Sequence, residues 1–455
     1  MIFFVYIIAF LLAVSILILV HEFGHFLVAR LFQVRVERFS IGFGKPLYIW
    51  KSKNGFTKYC LSPLVLGGYV KLLDTREIPT SSRDCAFAFD HKSILQRFAI
   101  VCAGPLANVI FAVFAFWLML TIGFKLPKPI IGKVIPNSVA SHVGLQSNEE
   151  ILKVDDRDTE NWGEVVVAML SRVGDGGYLN LITQGASNKT KMYELDLSQW
   201  KIDAYDPDPL NDFGIEEYKP QALSIVYKVA KNSPAEKGGL QVGDLIIAVA
   251  GKKVSDWEEF LHEIRLYPKQ TITLSIKRAA KYQDLAINTG WKFGKGWKKI
   301  GFIGVNIDLE KIVWREGTLR EYKYGVFSAF LPVLRQMRLF VDLNNIIFGK
   351  LLVGKMPLRI LGGPIATFVA SGQALEQGFV TFLGFLAVIS LTIAFVNILP
   401  LPGLDGGYLF LLLIEAIRGR PISIRTQNLI FRLGIALFVL LILQATGNDL
   451  MRLLS

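Results

Sequence analysis

The sequence predicts a polytopic α-helical membrane protein with four transmembrane helices. A small β-sheet is predicted between the first two helices, and a repeated pair of α/β modules between the second and the third. Three observations support this fold class. The 455 residues are 52% hydrophobic, which is more than soluble domains usually contain. Four uncharged runs can each cross about 30 Å of hydrocarbon, and one motif recurs at an offset of 95 residues.

The uncharged runs cover 1–20, 98–124, 377–404 and 433–448. The last run crosses a bilayer if the helix begins before Arg432 and that side chain snorkels to the interface. We therefore predict transmembrane helices at 1–32, 98–124, 378–400 and 426–448. The first run lacks the basic n-region and the small-x-small cleavage site of a secretory signal, so we expect it to be retained.

Charge predicts the topology. Between the first two spans, twelve lysines and arginines stand against five acidic residues, and such an excess marks a cytoplasmic loop. Arg418, Arg420, Arg425 and Arg432 predict that the loop between the last two spans is cytoplasmic too. Both termini and the long segment from Lys125 to about 376 are then external. The net charge of +12 therefore mainly reflects the membrane topology. The sequence contains no basic stripe interleaved with aromatic residues, the pattern that would indicate nucleic-acid binding.

The cytoplasmic segment 33–97 is patterned as a small membrane-associated β-sheet. Residues 34–39 alternate, 41–46 carry turn signals, and 47–50, 57–61 and 68–73 resemble short strands. Two roles remain open for this sheet. It is either a structural cap or a surface that holds a substrate as an added strand, with Gly67 and Gly68 as candidate contact residues.

The external segment contains a repeat. Residues 137–146 match 232–241, residues 151–154 match 246–249, and Asn161-Trp162 matches Asp256-Trp257. Two modules of roughly a hundred residues fit the usual size of a domain, and we place them at 125–219 and 220–311. The three cysteines, Cys60, Cys85 and Cys102, lie outside both modules, so each module depends on its hydrophobic core alone and a Cys-x-x-Cys site is excluded.

The motif of the second copy, Asn-Ser-Pro-Ala-Glu-x-x-Gly-Leu-x-x-Gly-Asp-x-Ile at 232–246, resembles PDZ domains of bacterial envelope proteases. Asn148 and Glu149 replace the Gly243-Asp244 turn in the first copy, which weakens the expectation that this copy binds peptides. The resemblance implies two tandem PDZ-like domains.

A hydrophobic-Gly-hydrophobic element occurs late in each copy, centred on Gly214 and Gly304. It resembles the loop with which PDZ domains receive a peptide carboxylate beside a sheet edge. Two roles are open for the pair of modules: they bind peptides, or they shield a membrane site from folded proteins.

Residues 312–377 show a helical pattern interrupted by charges that include Arg335, Arg338, Asp342, Lys350 and Arg359. Such a helix lies on a membrane surface more easily than it crosses the bilayer, so we predict an interfacial amphipathic region. Residues 361–364 then mark a turn before the third span.

Two of the five histidines stand at the end of the first apolar run, in His21-Glu22-Phe23-Gly24-His25. Helical residues four apart lie on one face, so both imidazoles can bind one zinc ion while Glu22 acts as the base of a metalloprotease. The alternative is a chance match. We disfavour it because ionisable residues at membrane depth are costly and usually functional.

The third span ends in a segment, 397–407, with two prolines and three glycines before and after Asp405. Broken backbone at membrane depth is tolerated only inside protein or along a cavity. Two histidines leave a catalytic zinc ion one protein ligand short, and Asp405 can supply it while water takes the fourth position. The alternative is an ordinary loop aspartate, and residues 401–425 are predicted to form this loop and a short helix.

The second span contains Gly104-Pro105 followed by Asn108. Small residues at this spacing allow a neighbouring helix to approach closely. Helix packing is the expected role, and we expect a buried Asn108 to seek a hydrogen-bond partner near the helix that carries the histidines.

These motifs together resemble the site-2 protease family over essentially the whole chain. The matching residues are His21, Glu22 and His25 in the first span, Gly104, Pro105 and Asn108 in the second, and Asn397, Pro400, Pro402, Asp405 and Gly406 after the third. The two PDZ-like modules lie between them.

The resemblance implies an intramembrane Zn²⁺ endopeptidase of the bacterial inner membrane that takes part in an envelope stress response. Its substrates would be single-pass membrane proteins in the lipid bilayer, namely an anti-sigma factor already shortened on its periplasmic side, and remnant signal peptides. The PDZ-like modules and both termini would be periplasmic.

The resemblance also implies a role for each of these residues. His21, His25 and Asp405 would bind zinc, and zinc would polarise the scissile carbonyl. Glu22 would deprotonate the attacking water and then protonate the leaving amine. Asn397, Pro400, Pro402, Gly67 and Gly68 would hold the unwound substrate.

Two rival functions remain. A membrane scaffold with a vestigial metal site is disfavoured by the intact ligand set. An anchored protease acting on soluble exported proteins is disfavoured because the zinc residues are predicted on the cytoplasmic side of the span, whereas the modules are predicted outside.

Overall fold

The structure is a computed structural model that describes residues 2–53, 55–76, 84–185, 187–198, 200, 202, 208–220, 224–294, 298–306 and 314–454. The chain forms two compact units. The membrane unit comprises Met1–Phe124, Glu321–Leu352 and Pro357–Asp449, and the module unit comprises Lys125–Arg320, Val353–Met356 and Leu450–Ser455. The predicted end of the second module at 311 lies outside the described residues.

The helices in the described residues are α1 (Ile2–Leu31), α2 (Ile94–Ile122), α3 (Val139–His142), α4 (Trp162–Leu170), α5 (Pro209–Phe213), α6 (Pro234–Lys237), α7 (Trp257–Arg265), α8 (Phe330–Leu352), α9 (Pro364–Glu376), α10 (Phe379–Ile398), α11 (Asp405–Arg418) and α12 (Ile424–Leu454).

The strands are β1 (Val36–Phe43), β2 (Tyr48–Lys51), β3 (Lys58–Leu61), β4 (Leu64–Leu72), β5 (Phe124–Pro127), β6 (Ile131–Val134), β7 (Glu150–Val154), β8 (Arg157–Asp158), β9 (Tyr178–Gln184), β10 (Thr190–Asp196), β11 (Ile215–Glu217), β12 (Lys228–Val229), β13 (Leu245–Val249), β14 (Lys252–Lys253), β15 (Thr271–Arg278), β16 (Lys281–Asn288), β17 (Gly290–Phe293), β18 (Lys299–Phe302), β19 (Val305–Asn306) and β20 (Leu319–Tyr322).

Four helices among the described residues, α1, α2, α10 and α12, are long and apolar enough to cross a membrane, which agrees with the predicted number of spans. The predicted start of the second span at 98 is wrong by four residues. Helix α2 begins earlier because Ser93 and Gln96 form a reciprocal capping box, which satisfies two backbone N–H groups at the helix start. The uncharged-run criterion missed this turn because Arg97 lies inside it.

Small side chains allow the helices of the membrane unit to approach closely. Ala9, Ala13 and Leu17 form a buried stripe on α1 that packs with Phe382 and Leu386 of α10. Further along α1, a methyl group at Gly24 would lie 2.2 Å from the carbonyl oxygen of Ala103 in α2. Helices α1 and α2 are therefore in backbone contact at the level of the histidines.

The sheet of the membrane unit has the strand order β2-β3-β1-β4. Strand β4 is an edge strand that contacts α1 and pairs antiparallel with β1. The prediction of a turn at 41–46 is wrong at its start, because β1 continues through Phe43. A register irregularity between Ile41 and Phe43 and a positive φ of 88° at Gly42 accommodate the turn-like residues inside the strand, as in a β-bulge.

The region 312–377 contains two helices, α8 and α9, in the described residues. The turn at 361–364 precedes α9 rather than the third span, so this part of the prediction is wrong. Pro364 is the first residue of α9, a position that proline favours, and Gly378, with φ 110°, separates α9 from α10. The location of α8 at a membrane surface stays a prediction.

The module unit contains two copies of one arrangement. Helices α3, α4 and strands β7–β10 recur in order as α6, α7 and β13–β16, and the two sheets have matching orders, β10-β9-β7-β8 and β14-β13-β15-β16 read in reverse. The caps recur as well. Ser138 and Ser233 cap α3 and α6, and Asn161 and Asp256 cap α4 and α7. Each copy has its own buried hydrophobic cluster.

The altered turn of the first copy keeps the backbone conformation of the second. Asn148 has φ 67° and Gly243 has φ 93°, and asparagine tolerates this left-handed region better than most residues. The carboxylates that follow, Glu149 and Asp244, are both buried. The turn therefore has the same backbone form in both copies, and weaker peptide binding by the first copy stays a prediction.

Candidate metal centre

His21 and His25 lie one turn apart on α1, which continues without a break through the motif to Leu31. Their Nε2 atoms are 3.3 Å apart. The Nδ1 atom of His25 lies 2.8 Å from the carbonyl oxygen of Ile100 in α2. A carbonyl only accepts hydrogen bonds, so Nδ1 carries a proton and Nε2 faces His21.

Gly104 makes room for this imidazole. A methyl group at Gly104 would lie 2.2 Å from Nε2 of His25, so any larger residue would displace the ring. The predicted role of the Gly104-Pro105 motif in close helix packing is thus refined: the glycine faces a histidine side chain.

Asp405 is the first residue of α11. Its Oδ2 atom lies 3.1 Å from Nε2 of His21 and 3.4 Å from Nε2 of His25. Two glycines allow the preceding loop to fold against the start of the helix, because a methyl group at Gly406 or Gly407 would lie 2.2 or 2.3 Å from the carbonyl oxygens of Leu399 and Leu401, respectively.

An ion pair fastens α11 to α2. The guanidinium of Arg97 donates to both carboxylate oxygens of Glu415, at 2.6 and 3.2 Å. Arg97 is buried, so this bidentate contact is partly shielded from solvent and geometrically specific. It holds the helix that begins with Asp405.

The donor set fits a zinc ion. The atoms of His21, His25 and Asp405 all lie within 4.8 Å of one another, and their closest separations are 3.1, 3.3 and 3.4 Å. Tetrahedral ligands at the usual zinc distances are separated by about 3.3 Å. When both imidazoles carry their proton on Nδ1, two lone pairs and a carboxylate oxygen converge on one point, an arrangement that is repulsive unless a cation lies between them.

Glu22 lines a cavity of about 780 Å³ together with both histidines and Asp405. The edge strand β4 reaches the same carboxylate, because the backbone of Val70 interacts with it. Gly68 lies beside Glu22 as well. A methyl group there would be 2.8 Å from the Ser40 carbonyl oxygen and 3.1 Å from Cγ of Glu22.

The other predicted substrate-binding residues are distributed differently. Pro402 lines the cavity, whereas Asn397 and Pro400 are not among its described lining residues. Gly67 packs against the ring of Phe43. A methyl carbon at Gly67 would lie 2.1 Å from the nearest ring atom.

Gly214 and Gly304 belong to the module unit. Both have positive φ, 79° and 84°, and each would press a methyl group against the capping serine of its own copy, Ser138 or Ser233. The two glycines thus occupy matching places in the two copies.

Several cavity residues were not predicted from the sequence. They are Tyr69, Val70, Asp74 and Arg76 at and after β4, Ile100 and Val101 on α2, Tyr408 on α11, and Gln427, Asn428 and Phe431 on α12. The two polar residues on α12, Gln427 and Asn428, could have been noticed, because polar side chains at a predicted span boundary often face protein. The others carry no signal in the sequence.

Comparison with known proteins gives the family of the chain. The model of peptidase family M50 matches residues 9–441. The regulator of sigma-E protease RseP of Salmonella typhimurium is 39% identical over 98% of both chains, and RseP of Escherichia coli K12 is 38% identical over the same shares. A Vibrio cholerae protein with the words zinc metalloprotease in its name is 35% identical, again over 98% of both chains.

Proposed function

The chain belongs to peptidase family M50 and is a zinc metalloendopeptidase, and on this premise we propose that it cleaves single-pass membrane proteins within the inner membrane. The observation that carries the proposal is the convergence of His21, His25 and Asp405 beside Glu22 at one cavity. In this proposal His21, His25 and Asp405 hold the metal.

Bound zinc supplies a Lewis acid and lowers the pKa of water. The remaining chemistry belongs to the chain. Glu22 accepts a proton from the attacking water and donates it to the leaving amide nitrogen. His25 keeps its orientation through Nδ1, which donates to the Ile100 carbonyl oxygen.

The open edge of β4 receives the substrate. A helical segment hides its carbonyl groups in hydrogen bonds, so it must unwind before cleavage. Strand β4 is at the edge of its sheet, and its residues Tyr69 and Val70 line the cavity beside Glu22. An unwound segment can add to such an edge through backbone hydrogen bonds. In this account Gly68 keeps β4 close to Glu22, while Pro402 forms another wall, and Asn397, Pro400 and Gly67 support the loop and the strand.

The substrate class rests on the relatives and on charge. Relatives named regulators of sigma-E protease support an anti-sigma factor, already trimmed on its periplasmic side, as the substrate, with remnant signal peptides as a second class. The basic loops support cytoplasmic placement of segment 33–97 and of the loop before α12, with both termini and two tandem PDZ-like domains in the periplasm.

Glu22→Gln tests the proposal. The amide cannot take up the proton, but no ligand atom changes, so we expect the purified variant to contain as much zinc as the wild type while cleavage of a single-pass reporter falls to background. The measurements are zinc content by mass spectrometry and cleavage rate in the same preparation. Cleavage at the wild-type rate would show that Glu22 is not the base.

Glu376→Gln is the matched control. This glutamate belongs to α9 of the membrane unit and accepts a hydrogen bond from Tyr6. Tyr6 is sixteen residues from Glu22 on α1, about 24 Å along a helix. The same chemical change at Glu376 should leave both zinc content and cleavage unchanged.

A further inference from the structure

Asn108 is a buried polar residue of the membrane unit that the proposed mechanism does not use. Its side chain is 0% exposed, and within the described part of the chain neither its amide nitrogen nor its oxygen has a hydrogen-bond partner. Its backbone carbonyl accepts a hydrogen bond from the Ser390 hydroxyl at 2.8 Å. An unsatisfied buried polar group is destabilising, so each one in a native structure needs an explanation.

The packing of α1 against α2 gives the level of Asn108. Gly104 lies against the imidazole of His25, and Phe111, further along α2, packs with the cluster that contains Leu17, further back along α1. The two helices therefore run in opposite directions. One turn on from Gly104 is Asn108, and one turn back from His25 is His21, so Asn108 lies at the level of His21.

His21 has the complementary deficiency. Its Nδ1 atom is buried, and none of the described residues forms a hydrogen bond with it. The corresponding Nδ1 of His25 donates to the Ile100 carbonyl oxygen. A histidine that binds metal through one ring nitrogen almost always donates its other N–H to an oxygen, and one of these two histidines has that oxygen while the other does not.

We propose that Asn108 is the positioning residue of His21: its side-chain oxygen accepts the Nδ1 proton when zinc is bound and so holds Nε2 toward the metal. The inference rests on the proposed zinc site. Asn108 is not among the described residues that line the cavity, so it acts through His21 and has no contact with the substrate. The Gly104 to Asn108 spacing then serves both histidines, since Gly104 makes room for one ring and Asn108 orients the other.

The test compares Asn108→Leu, which has a similar size but no acceptor, with Asn108→Asp, which keeps an oxygen at the same position. Zinc affinity is measured on the purified full chain by competition with a chelator. We expect Asn108→Leu to bind zinc about 10- to 100-fold more weakly than the wild type, the usual cost of losing such a partner, and Asn108→Asp to stay close to the wild type. Excess zinc should restore cleavage by Asn108→Leu, which it would not do for a variant that is merely misfolded.

Ser390→Ala is the matched control, since it removes the hydroxyl that contacts the backbone of Asn108 but leaves the amide side chain in place. Its zinc affinity should equal that of the wild type. If Asn108→Leu does not fold, Asn108→Ala takes its place. Wild-type zinc affinity in the leucine or alanine variant, or equal weakening in Asn108→Asp, would overturn the assignment.

The same measurements separate this inference from the zinc site on which it rests. If the wild type binds no zinc, or if His25→Ala binds it as tightly as the wild type, the zinc site itself is wrong. If the wild type binds zinc through His25 and Asn108→Leu binds it equally well, only the role of Asn108 is wrong.

Discussion

The carboxylates of the module unit and the carboxylate of the metal centre have different partners. In the module unit, buried Glu149 lies 2.8 Å from Nζ of Lys191, and buried Asp244 lies 2.7 Å from the guanidinium of Arg278. In the membrane unit, Asp405 faces two imidazoles, and no described lysine or arginine forms an ion pair with it. A carboxylate that is shielded from water needs a counter-charge or hydrogen-bond donors. Where the chain supplies a cation the carboxylate serves the fold, and where it supplies only imidazoles the arrangement calls for a metal ion.

The largest expected effect comes from Asp405→Asn. Loss of the negative ligand should remove zinc and abolish cleavage together, because two neutral imidazoles remain as the only protein ligands. Asp244→Asn makes the same chemical change in the module unit and should leave zinc content at the wild-type level. Metal content by mass spectrometry and cleavage of a single-pass reporter are the measurements. Full zinc occupancy in Asp405→Asn would require another third ligand.

The second prediction removes the module unit. Because every proposed catalytic residue belongs to the membrane unit, a variant in which residues 128–307 are replaced by a short flexible linker should still cleave a trimmed substrate. If the modules exclude folded domains, the same variant should also cleave a substrate that carries a bulky external domain, which the wild type refuses.

The comparison is the cleavage rate of one membrane segment with and without a folded external domain, in both enzymes. Recruitment by the modules predicts slower cleavage of every substrate by the deletion variant. If the deletion variant cleaves the trimmed substrate but still does not cleave the bulky one, the modules do not act by excluding folded domains. The altered turn of the first copy does not favour either role, since Asn148 keeps a left-handed conformation like that of Gly243.

The sequence predicted that His21, His25 and Asp405 lie together, because the signal is local. The spacing of His21 and His25 places both side chains on one helix face. The glycines and prolines around Asp405 predict a broken helix, and such a break at membrane depth lies inside protein or along a cavity. The tie between Arg97 and Glu415 has no such signal, because 318 residues separate the partners. The position of Gly68 beside Glu22 depends on how β4 meets α1, which strand patterning alone does not give.

The start of α2 and the end of β1 were predicted wrongly for local reasons. A criterion based on uncharged runs ends a helix at its first charge, so it excluded Arg97 although that residue is buried and paired inside α2. Glycines at 42 and 44 resemble a turn, but β1 passes through Gly42 with a bulge because Ile41 and Phe43 on either side still pair with β4.

The third prediction concerns stability in the module unit. Asp244→Asn leaves the Arg278 guanidinium without its charge partner, and because that guanidinium is partly exposed to solvent we expect a cost of about 2 kcal/mol, the range for a hydrogen bond to a charged group. Glu149→Gln should cost less, about 1 kcal/mol, because Glu149 also accepts from the hydroxyls of Thr183 and Tyr193 and an amide oxygen can still accept. Hydrogen exchange of peptides from β13 and from β7, measured in the full chain, reports the stability of the second copy and of the first copy, respectively. Equal protection in both variants would contradict this order.

The smallest expected effect is the pH dependence of the second copy. Burial raises the pKa of Asp244, but hydrogen bonds from Arg278 and from the Gln241 backbone outweigh it, so the folded-state pKa lies below its ordinary value. The unfolded state therefore takes up a proton first as the pH falls. The stabilisation is fully present above about pH 3.9, the ordinary aspartate value, and is lost as the pH falls through the lower folded-state pKa. The difference in β13 protection between the wild type and Asp244→Asn should be constant from neutral pH down to about pH 5 and should shrink below about pH 4. A difference that persists unchanged into that acidic range would show that Asp244 stabilises the copy through packing rather than through its charge.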